Sequence, residues 1–283
     1  NTINLIIKIN TYNQFAVLYD KNLESNYLHV IKQQLNKISN NILFISIDTS
    51  LNKKSFDLFI EIQDQLINHN INNNTLIISF GGGSVGDLSG FIASTYHRGI
   101  DYIQIPTTLL SMIDSSIGGK TGIDFDVGKN LVGTYYHPKV VIIDTDFLST
   151  LDINEINSGY FEVIKYALAF DVKLYDFIID NFKKLDNIKI LDEIIRWCCK
   201  IKSEIITQDE QDDNIRQRLN FGHTIGHSIE SIYNIRHGEA VGFGILCGSY
   251  ISNQMGTLST DQYNDIVSLI HKLKLPTIQF DNK

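Results

Sequence analysis

The first half of the chain alternates short apolar runs with longer segments in which apolar residues recur every three or four positions. Short runs rich in β-branched residues are typical of strands, and the longer period is typical of helices. The predicted strands are residues 15–19, 42–47, 75–80, 101–105 and 139–144, and the predicted helices among them are 27–38 and 55–67. Strands separated by helices indicate an α/β fold with a parallel sheet.

After about Leu151 the β-branched runs stop and only the helical period remains. The predicted helices of this part are residues 153–170, 174–182, 190–206, 221–233, 239–253 and 261–273. We therefore expect a nucleotide-binding α/β domain over residues 1–150 and an all-α domain over residues 151–283. A cleft at such a domain junction is the default place for a ligand.

Composition excludes several function classes for this 283-residue chain, whose net charge is −8. Its basic residues are scattered, which argues against nucleic acid as a partner. The longest apolar runs, such as residues 140–143, are strand-sized and too short to span a membrane. Cys198 and Cys199 are adjacent and Cys247 stands alone, a pattern that suits reduced thiols in the cytoplasm better than disulfides or a cysteine metal site.

A glycine-rich turn, SFGGGSVGDLSGF at residues 79–91, follows the third predicted strand and opens a helix. Gly81, Gly83 and Gly86 fit the spacing G-x-G-x-x-G, and amide groups at a helix N-terminus bind phosphate readily. The dinucleotide motif usually follows the first strand of its fold, so the spacing is weak support by itself. A tight turn that requires positive φ is the alternative interpretation.

Histidines in the second half suggest a metal site. His223 and His227 are four residues apart and so share one helix face, and His237 opens HGEAVGFG. Thr224 stands where H-E-x-x-H requires glutamate, which disfavours a metalloprotease. With Glu162, an acid in an apolar helix, these histidines supply the His/His/Glu ligand type of a catalytic zinc. Each residue alone is more commonly an ordinary hydrogen-bonded or exposed side chain.

Two stretches carry cations among glycines and apolar residues, DSSIGGKTGIDFDVGKN at 114–130 and RQRLNFGH at 216–223. The cations and amides are Lys120, Lys129, Asn130, Arg216, Arg218 and Asn220. Such surroundings suggest partial burial, where an unpaired cation is costly. A polyanionic substrate would supply the partner.

Long collinear motifs between about Ile77 and Gly248 carry a family resemblance: GGGSVGD, RGIDYIQIPTTLLSMIDSSIGGKTG, GKNLVGTYYHP, EVIKY, LNFGHTIGH and HGEAV. In these motifs the chain resembles the 3-dehydroquinate synthases of the sugar phosphate cyclase group. The resemblance implies NAD, a zinc or cobalt ion and a homodimer. It also implies a sugar phosphate substrate, 3-deoxy-D-arabino-heptulosonate 7-phosphate. This substrate would be transiently oxidised, lose phosphate, be reduced again and close to 3-dehydroquinate in the shikimate pathway.

The resemblance also implies roles for individual residues. The metal ligands would be Glu162, His223 and His237. Contacts to the substrate would come from Lys120, Asn130, Asn220 and His227 around the phosphate, from Lys202 and Arg216 toward the carboxylate, from Lys165, and from Arg98 across the dimer. The cofactor would contact Asp20, Gly82, Gly83, Ser84, Asp87, Thr107, Thr108, Leu110, Asp114, Ser115, Lys120, Lys129 and Thr150, with Asp114 also serving catalysis.

The chain departs from the family pattern at three places. Residues 51–54 read LNKK where the family has G-E-x-x-K, so a cofactor-contacting glutamate is absent. Asp212 replaces a glutamate, and the chain ends at FDNK, where Lys283 is the candidate remnant of a substrate-contacting D-K-K element.

Three other functions stay open at this point. A metal-dependent, NAD(P)-linked polyol or alcohol dehydrogenase would accumulate NADH and would not need Lys120, Asn130 and Asn220. A related cyclase would act on a different sugar phosphate. A cofactor-binding relic would have lost catalysis, although the retained ligand set argues against it.

Overall fold

The computed structural model describes residues 12–49, 54–125, 127–233 and 235–278, and the chain divides into two units between Phe147 and Leu148. The first unit is built on a parallel sheet of four strands in the order β2–β1–β3–β4. The strands are β1 (Gln14–Asp20), β2 (Ile42–Ile47), β3 (Thr75–Gly81) and β4 (Tyr102–Pro106). Four of the five predicted strands are therefore confirmed.

The prediction of a fifth strand at 139–144 is wrong. This segment forms only an isolated parallel bridge from Val141 to Gln104, whose amide donates to the carbonyl of Val140 and whose carbonyl accepts from Ile142. The carboxylate of Asp144 then accepts from the amide of Asp146 and starts a helical turn. The amide of Lys139 also donates to the carbonyl of Tyr102, so the apolar run lies along β4 only from Lys139 to Ile142, too briefly to form a full strand.

Helices cover both faces of the sheet, which explains why its strands are almost continuously apolar. Within β1, Ala16 and Leu18 belong to one buried cluster, and Phe15 and Val17 belong to the cluster on the other face. The helices are α1 (His29–Leu35), preceded by a wider helical turn (Glu24–Leu28), α2 (Phe56–Asn68) and α3 (Gly83–Thr95).

A hairpin that the sequence analysis did not predict follows β4. Strands β5 (Lys120–Phe125) and β6 (Gly128–Tyr135) pair antiparallel, with Gly122 opposite Gly133. A Cβ at Gly133 would lie 2.0 Å from the carbonyl oxygen of Thr121, so the two strands approach too closely for a side chain there. Glycine is unfavourable in strands, and this stretch therefore lacks the usual strand signal.

The described part of the second unit, residues 148–233 and 235–278, is helical, as predicted. Its α-helices are α4 (Ile153–Ala169), α5 (Val172–Asp180), α6 (Ile188–Gln208), α7 (His223–Tyr233), α8 (His237–Gln254) and α9 (Thr260–Lys272). Throughout the residues that the structure describes, every helix is too short or too polar to cross a lipid bilayer.

The glycines of the turn between β3 and α3 serve close packing. Gly81, Gly82, Gly83 and Gly86 all have negative φ, so the positive-φ interpretation of this turn is wrong. A Cβ at Gly81 would lie 2.8 Å from Cβ of Val85, and one at Gly83 would lie 2.9 Å from Oγ of Ser115. The turn can therefore lie against residues 107–115 only because it has no side chains.

Two glycines of α3 give a matched test of this packing. An added Cβ would lie 2.4 Å from Cγ2 of Thr121 at Gly90, but 3.2 Å from the side-chain oxygen of Gln104 at Gly86. We expect Gly90→Ala to lower the free energy of unfolding by about 1–3 kcal/mol through overpacking. Gly86→Ala should change it by less than about 1 kcal/mol, because the gain in helix propensity opposes a small shift of Gln104. Urea unfolding measures both, and equal losses would contradict the packing argument.

Candidate active site

A buried carboxylate forms the centre of the site in the second unit. Glu162 lies in the middle of α4 and its side chain is fully buried. Its Oε2 pairs with Nζ of Lys165, which lies one helical turn later and is itself buried. A buried carboxylate is stable only when cations or hydrogen-bond donors surround it.

Two histidines complete this cluster. His223 is the first residue of α7 and His237 the first residue of α8. Their Nε2 atoms lie 3.5 Å and 3.3 Å, respectively, from Oε1 of Glu162. Ligands at about 2.1 Å from a tetrahedral zinc ion would lie roughly 3.4 Å apart. The spacing of these donor atoms therefore fits a metal ion among them.

Glycines let the three helices that carry these ligands approach each other. A Cβ at Gly238 would lie 1.9 Å from the carbonyl oxygen of Ser158 on α4, and one at Gly244 would lie 1.7 Å from that of Gly222, just before α7. Gly222 itself has φ of 82°, which favours glycine. The backbones of α4, α7 and α8 are thus close enough to bring Glu162, His223 and His237 together.

The charge around His237 also favours a cation. Burial lowers the pKa of its imidazole, but hydrogen bonds to Glu162 and Glu230 and the charges of these two carboxylates outweigh burial and raise the pKa to about 10. Two carboxylates therefore create a negative potential at this ring. A divalent metal ion would satisfy the same potential without a proton on Nε2.

His227 and Glu230 border the cluster on the same face of α7. The ring of His227 lies 5.2 Å from that of His223 and 5.8 Å from that of His237, measured between centroids. Oε2 of Glu230 lies 3.0 Å from Nδ1 of His237. Glu230 is not among the predicted site residues, although its position seven residues after His223 places it on the same helix face. His227, Glu230 and His237 also form a second group with metal-ligand spacing.

Three buried cations of this unit were predicted as substrate contacts. Lys165, Lys202 and Arg216 are 1%, 6% and 3% exposed. The carboxylate of Asp209 accepts from the amides of Asp213, Asn214 and Arg216, and the last of these hydrogen bonds contributes most to lowering the pKa of Asp209. Asp209, which the sequence analysis did not name, thereby fixes the turn that holds Arg216.

Asn220 ends the helical turn Ile215–Asn220 and is exposed. It lines a cavity of about 600 Å³ together with Arg218 and Thr224. Arg218 donates to the carbonyl oxygen of Ala169 and stacks on Phe170, so its guanidinium serves packing of the second unit.

The first unit contains the predicted cofactor turn. Strands β1 and β3 are neighbours at the centre of the sheet. From β1 the chain continues to β2 at one edge, and from β3 it continues to β4 at the other edge. A crevice at the carboxyl ends of such neighbouring strands is where open α/β sheets bind ligands. Asp20 is the last residue of β1. Gly82 directly follows β3 and is the N-cap residue of α3, so no side chain covers the first amides of this helix at that position. The first amides of α3 therefore meet the requirements of a phosphate site.

Several predicted cofactor residues pack against this turn. The amide of Thr107 donates to the carbonyl of Gly81, and Thr108 and Ser111 exchange hydrogen bonds through their side chains. An added Cβ at Gly82 would approach Cγ2 of Thr108 to 3.1 Å, and one at Gly83 would approach Ser115. The described residues that share this segment are Thr107, Thr108, Leu110, Asp114 and Ser115, and Ser84 lies in the first turn of α3.

Lys54 connects two predicted site residues. It is 7% exposed, and its Nζ lies 2.5 Å from Oδ2 of Asp87 and donates to Oδ1 of Asn130. Its carbonyl accepts from the amide of Asp124, which ties it to the end of β5. From the sequence, Lys54 was identified only as the last residue of LNKK. The position of the missing glutamate in that element lies outside the described residues, as does Lys283.

The other predicted residues of the first unit lie at its surface. The side chains of Lys120 and Lys129 are on the β5–β6 hairpin, and Lys120 is exposed. Arg98 is exposed on a turn in which His97, Arg98 and Gly99 all have positive φ. Thr150 belongs to the second unit, in the helical turn Thr145–Thr150.

Comparison with known proteins gives two consecutive matches to family models. The model described as 3-dehydroquinate synthase N-terminal matches residues 44–158, and the model described as 3-dehydroquinate synthase C-terminal matches residues 159–283. A curated 3-dehydroquinate synthase from Clostridium botulinum (strain Alaska E43 / Type E3) is 39% identical, over 99% of this chain and 81% of the relative.

Solved structures of sugar phosphate cyclases share the fold. A 2-epi-5-epi-valiolone synthase from Streptomyces hygroscopicus subsp. jinggangensis 5008, with NAD+ and Zn2+ bound, is 26% identical with a TM-score of 0.88, over 97% of this chain and 78% of that one. A 2-deoxy-scyllo-inosose synthase complexed with carbaglucose-6-phosphate, NAD+ and Co2+ is 24% identical with a TM-score of 0.84, over 98% of this chain and 78% of that one.

The group of Glu162, His223 and His237 leads to a direct prediction about metal binding. We expect Glu162→Gln, His223→Ala and His237→Ala each to lose most of the bound zinc, because a catalytic site has only three protein ligands to begin with. Cys199→Ser should keep its zinc, since burial raises the pKa of this thiol to about 11 and no Cys belongs to a metal-like group in the described residues. Metal analysis after dialysis measures the stoichiometry. Unchanged zinc in Glu162→Gln would overturn the assignment.

Proposed function

This chain belongs to the 3-dehydroquinate synthase family, and we infer that it catalyses the reaction after which the family is named. The reaction converts 3-deoxy-D-arabino-heptulosonate 7-phosphate into 3-dehydroquinate and phosphate, in the shikimate pathway. The observation that carries this function is the Glu162, His223 and His237 cluster, in a chain whose residues 44–283 match both family models. We propose cofactor binding for residues 1–150, and metal and substrate binding for residues 151–283.

The metal is a divalent ion such as Zn2+ or Co2+, and the residues present fit it. When bound, it supplies Lewis acidity that lowers the pKa of a coordinated substrate hydroxyl. We propose that Glu162 and the Nε2 atoms of His223 and His237 hold the ion. The two neutral imidazoles and one carboxylate leave a net positive charge for anionic oxygen, and three protein ligands leave a position for substrate.

The cofactor is NAD, which supplies a reversible hydride acceptor. We propose that the first amides of α3, after Gly82, hold its pyrophosphate, and that Asp20 at the end of β1 contacts the adenosine ribose. An acid on the strand beside the glycine turn has this role in dinucleotide folds. The Lys54–Asp87 pair would position the carboxylate of Asp87 beside the turn.

We propose that the buried cations of the second unit bind the substrate's anionic groups. Arg216 and Lys202 would hold the carboxylate, while Lys165 would stay beside Glu162 and contact substrate oxygens. The phosphate would be held by a set that the family resemblance assigns, Lys120, Asn130, Asn220 and His227. Charge-assisted hydrogen bonds of this kind are about twice as strong as neutral ones.

The test of this function separates a cyclase from a dehydrogenase. The chain is supplied with zinc, an excess of the heptulosonate phosphate and an amount of NAD far below the substrate, and phosphate and reduced nicotinamide are followed together. We expect phosphate to exceed total NAD many times with little NADH, because the cofactor is regenerated in each turnover. Cys199→Ser should match the unaltered chain, and Glu162→Gln should release no phosphate.

Two results would contradict the proposed function. If phosphate release stopped near the NAD concentration while NADH accumulated, the chain would be a dehydrogenase. If zinc-loaded protein released no phosphate from this substrate, the chain would be a cofactor-binding relic or a cyclase for a different sugar phosphate.

We further propose a homodimer in which Arg98 reaches the partner's site. The exposed guanidinium of Arg98 is held on a backbone with two successive non-glycine residues at positive φ, an arrangement that costs roughly 1–2 kcal/mol per residue. Such a cost is common at functional positions. Exposed apolar residues on the β5–β6 hairpin, Val127, Leu131 and Val132, would be covered in a dimer that includes this hairpin.

Mixing two inactive variants tests the shared site. Arg98→Ala and Lys120→Ala should each lose most activity, and mixed dimers should regain up to about half of the normal activity per chain, because one of their two sites is intact. Activity assays on mixed dimers verified by mass spectrometry measure the recovery. Mixed dimers without recovery would mean that each site is built within one chain.

A cytoplasmic location is also proposed, and the three unbridged cysteines support it, since thiols stay reduced there.

A further inference from the structure

We infer that Glu230 is a positioning residue that fixes His237 as a metal ligand through its Nε2 atom. Oε2 of Glu230 lies 3.0 Å from Nδ1 of His237. On the other side of the ring, Nε2 lies 3.3 Å from Oε1 of Glu162. The imidazole is therefore held between two carboxylates, one at each nitrogen. The inference rests on the proposed metal site.

The chemistry of a neutral imidazole makes these two positions unequal. The ring carries one proton, and the nitrogen without it has the lone pair that binds a metal. Because an ionised carboxylate only accepts hydrogen bonds, Glu230 favours the tautomer whose N–H is at Nδ1, and the lone pair then lies on Nε2, on the side of Glu162. A carboxylate in this position also increases the basicity of the ligating nitrogen.

The helix geometry explains why Glu230 reaches this ring. His223, His227 and Glu230 lie at positions i, i+4 and i+7 of α7, so they share one face. The imidazole that faces Glu230 belongs to His237, the first residue of α8. The side chain of Glu230 is only 11% exposed, so its charge is largely removed from water and requires a partner such as the N–H of His237.

In a competing arrangement, a metal ion would bind His237 together with Glu230 instead of Glu162. His227, Glu230 and His237 also have metal-ligand spacing, and in that group Glu230 would be a direct ligand. The buried group is favoured, because Glu162 is fully buried and lies close to both other donors, whereas His227 is exposed. A metal ion at the buried group leaves Glu230 for Nδ1 of His237.

The experiment measures zinc affinity by competition with a chromophoric chelator, and the coordination of Co2+ by its visible absorption. The variants are Glu230→Ala, Glu230→Gln and His227→Ala. The matched control is Glu239→Gln on α8, a carboxylate that accepts from the amide of Arg236 instead. The folding of each variant is checked by circular dichroism, and the 15N shifts of His237 are recorded in the zinc-loaded chain.

For Glu230→Ala we expect zinc affinity to fall 10- to 100-fold with one ion per chain retained, the usual loss for a partner of a ligating histidine. The Co2+ absorption should keep its intensity, because the three ligands remain. Glu230→Gln should lose less, since its amide oxygen can still accept from Nδ1, and Glu239→Gln should match the unaltered chain. The 15N shifts should show the proton on Nδ1 of His237 in the unaltered chain.

Three results would overturn the inference. Unchanged zinc affinity in Glu230→Ala would show that the hydrogen bond has no role in metal binding. Loss of the ion and a changed Co2+ spectrum in both Glu230→Ala and His227→Ala would make Glu230 a direct ligand of the second group. An unaltered chain that binds no zinc would contradict the proposed function as well, which distinguishes that failure from the other two.

Discussion

The buried carboxylate of Glu162 is the constraint on which the second unit depends. A charge without contact to water requires compensation on every side. Lys165 compensates one oxygen from the same helix, and His223 and His237 lie near the other from two different helices. A metal ion in this position would be coordinated by the same oxygen that now faces the two imidazoles. The need to satisfy one side chain thereby couples the packing of three helices to the chemistry of the site.

Close backbone contact is what makes this arrangement possible. Gly222, Gly238 and Gly244 lie where any side chain would overlap a neighbouring carbonyl. The same solution recurs in the first unit, where Gly83 lies against Ser115 and Gly90 against Thr121. In both units glycines bring functional backbone or side chains within reach, and at the turn before α3 this role replaces the positive φ that a glycine-rich turn suggests.

The two units prepare different kinds of recognition. The first presents backbone amides at the carboxyl ends of β1 and β3, a topological switch point suited to a dinucleotide. The second presents a compact set of His, Glu and buried cations, suited to a metal ion and an anionic substrate. Lys54 gives the first unit a feature of the same type as the second, because a buried cation links Asp87 to Asn130 and so couples a proposed cofactor residue to a proposed substrate residue.

The sequence by itself determined the features that repeat along the chain or are encoded in a local motif. Continuous apolar runs determined four parallel strands, because both faces of that sheet are buried, and a 3.6-residue period determined the helical second half. The His and Glu residues of the candidate metal site were recognisable because long motifs surround them. Tertiary structure alone decided pairings between distant residues, which have no period. The β5–β6 hairpin depends on Gly122 facing Gly133, and the short parallel pairing of Val141 with β4 depends on Gln104. Lys54 and Glu230 gained their roles only when folding placed Asp87 and His237 beside them, since a side chain's partner is set by packing between elements and not by its neighbours in the chain.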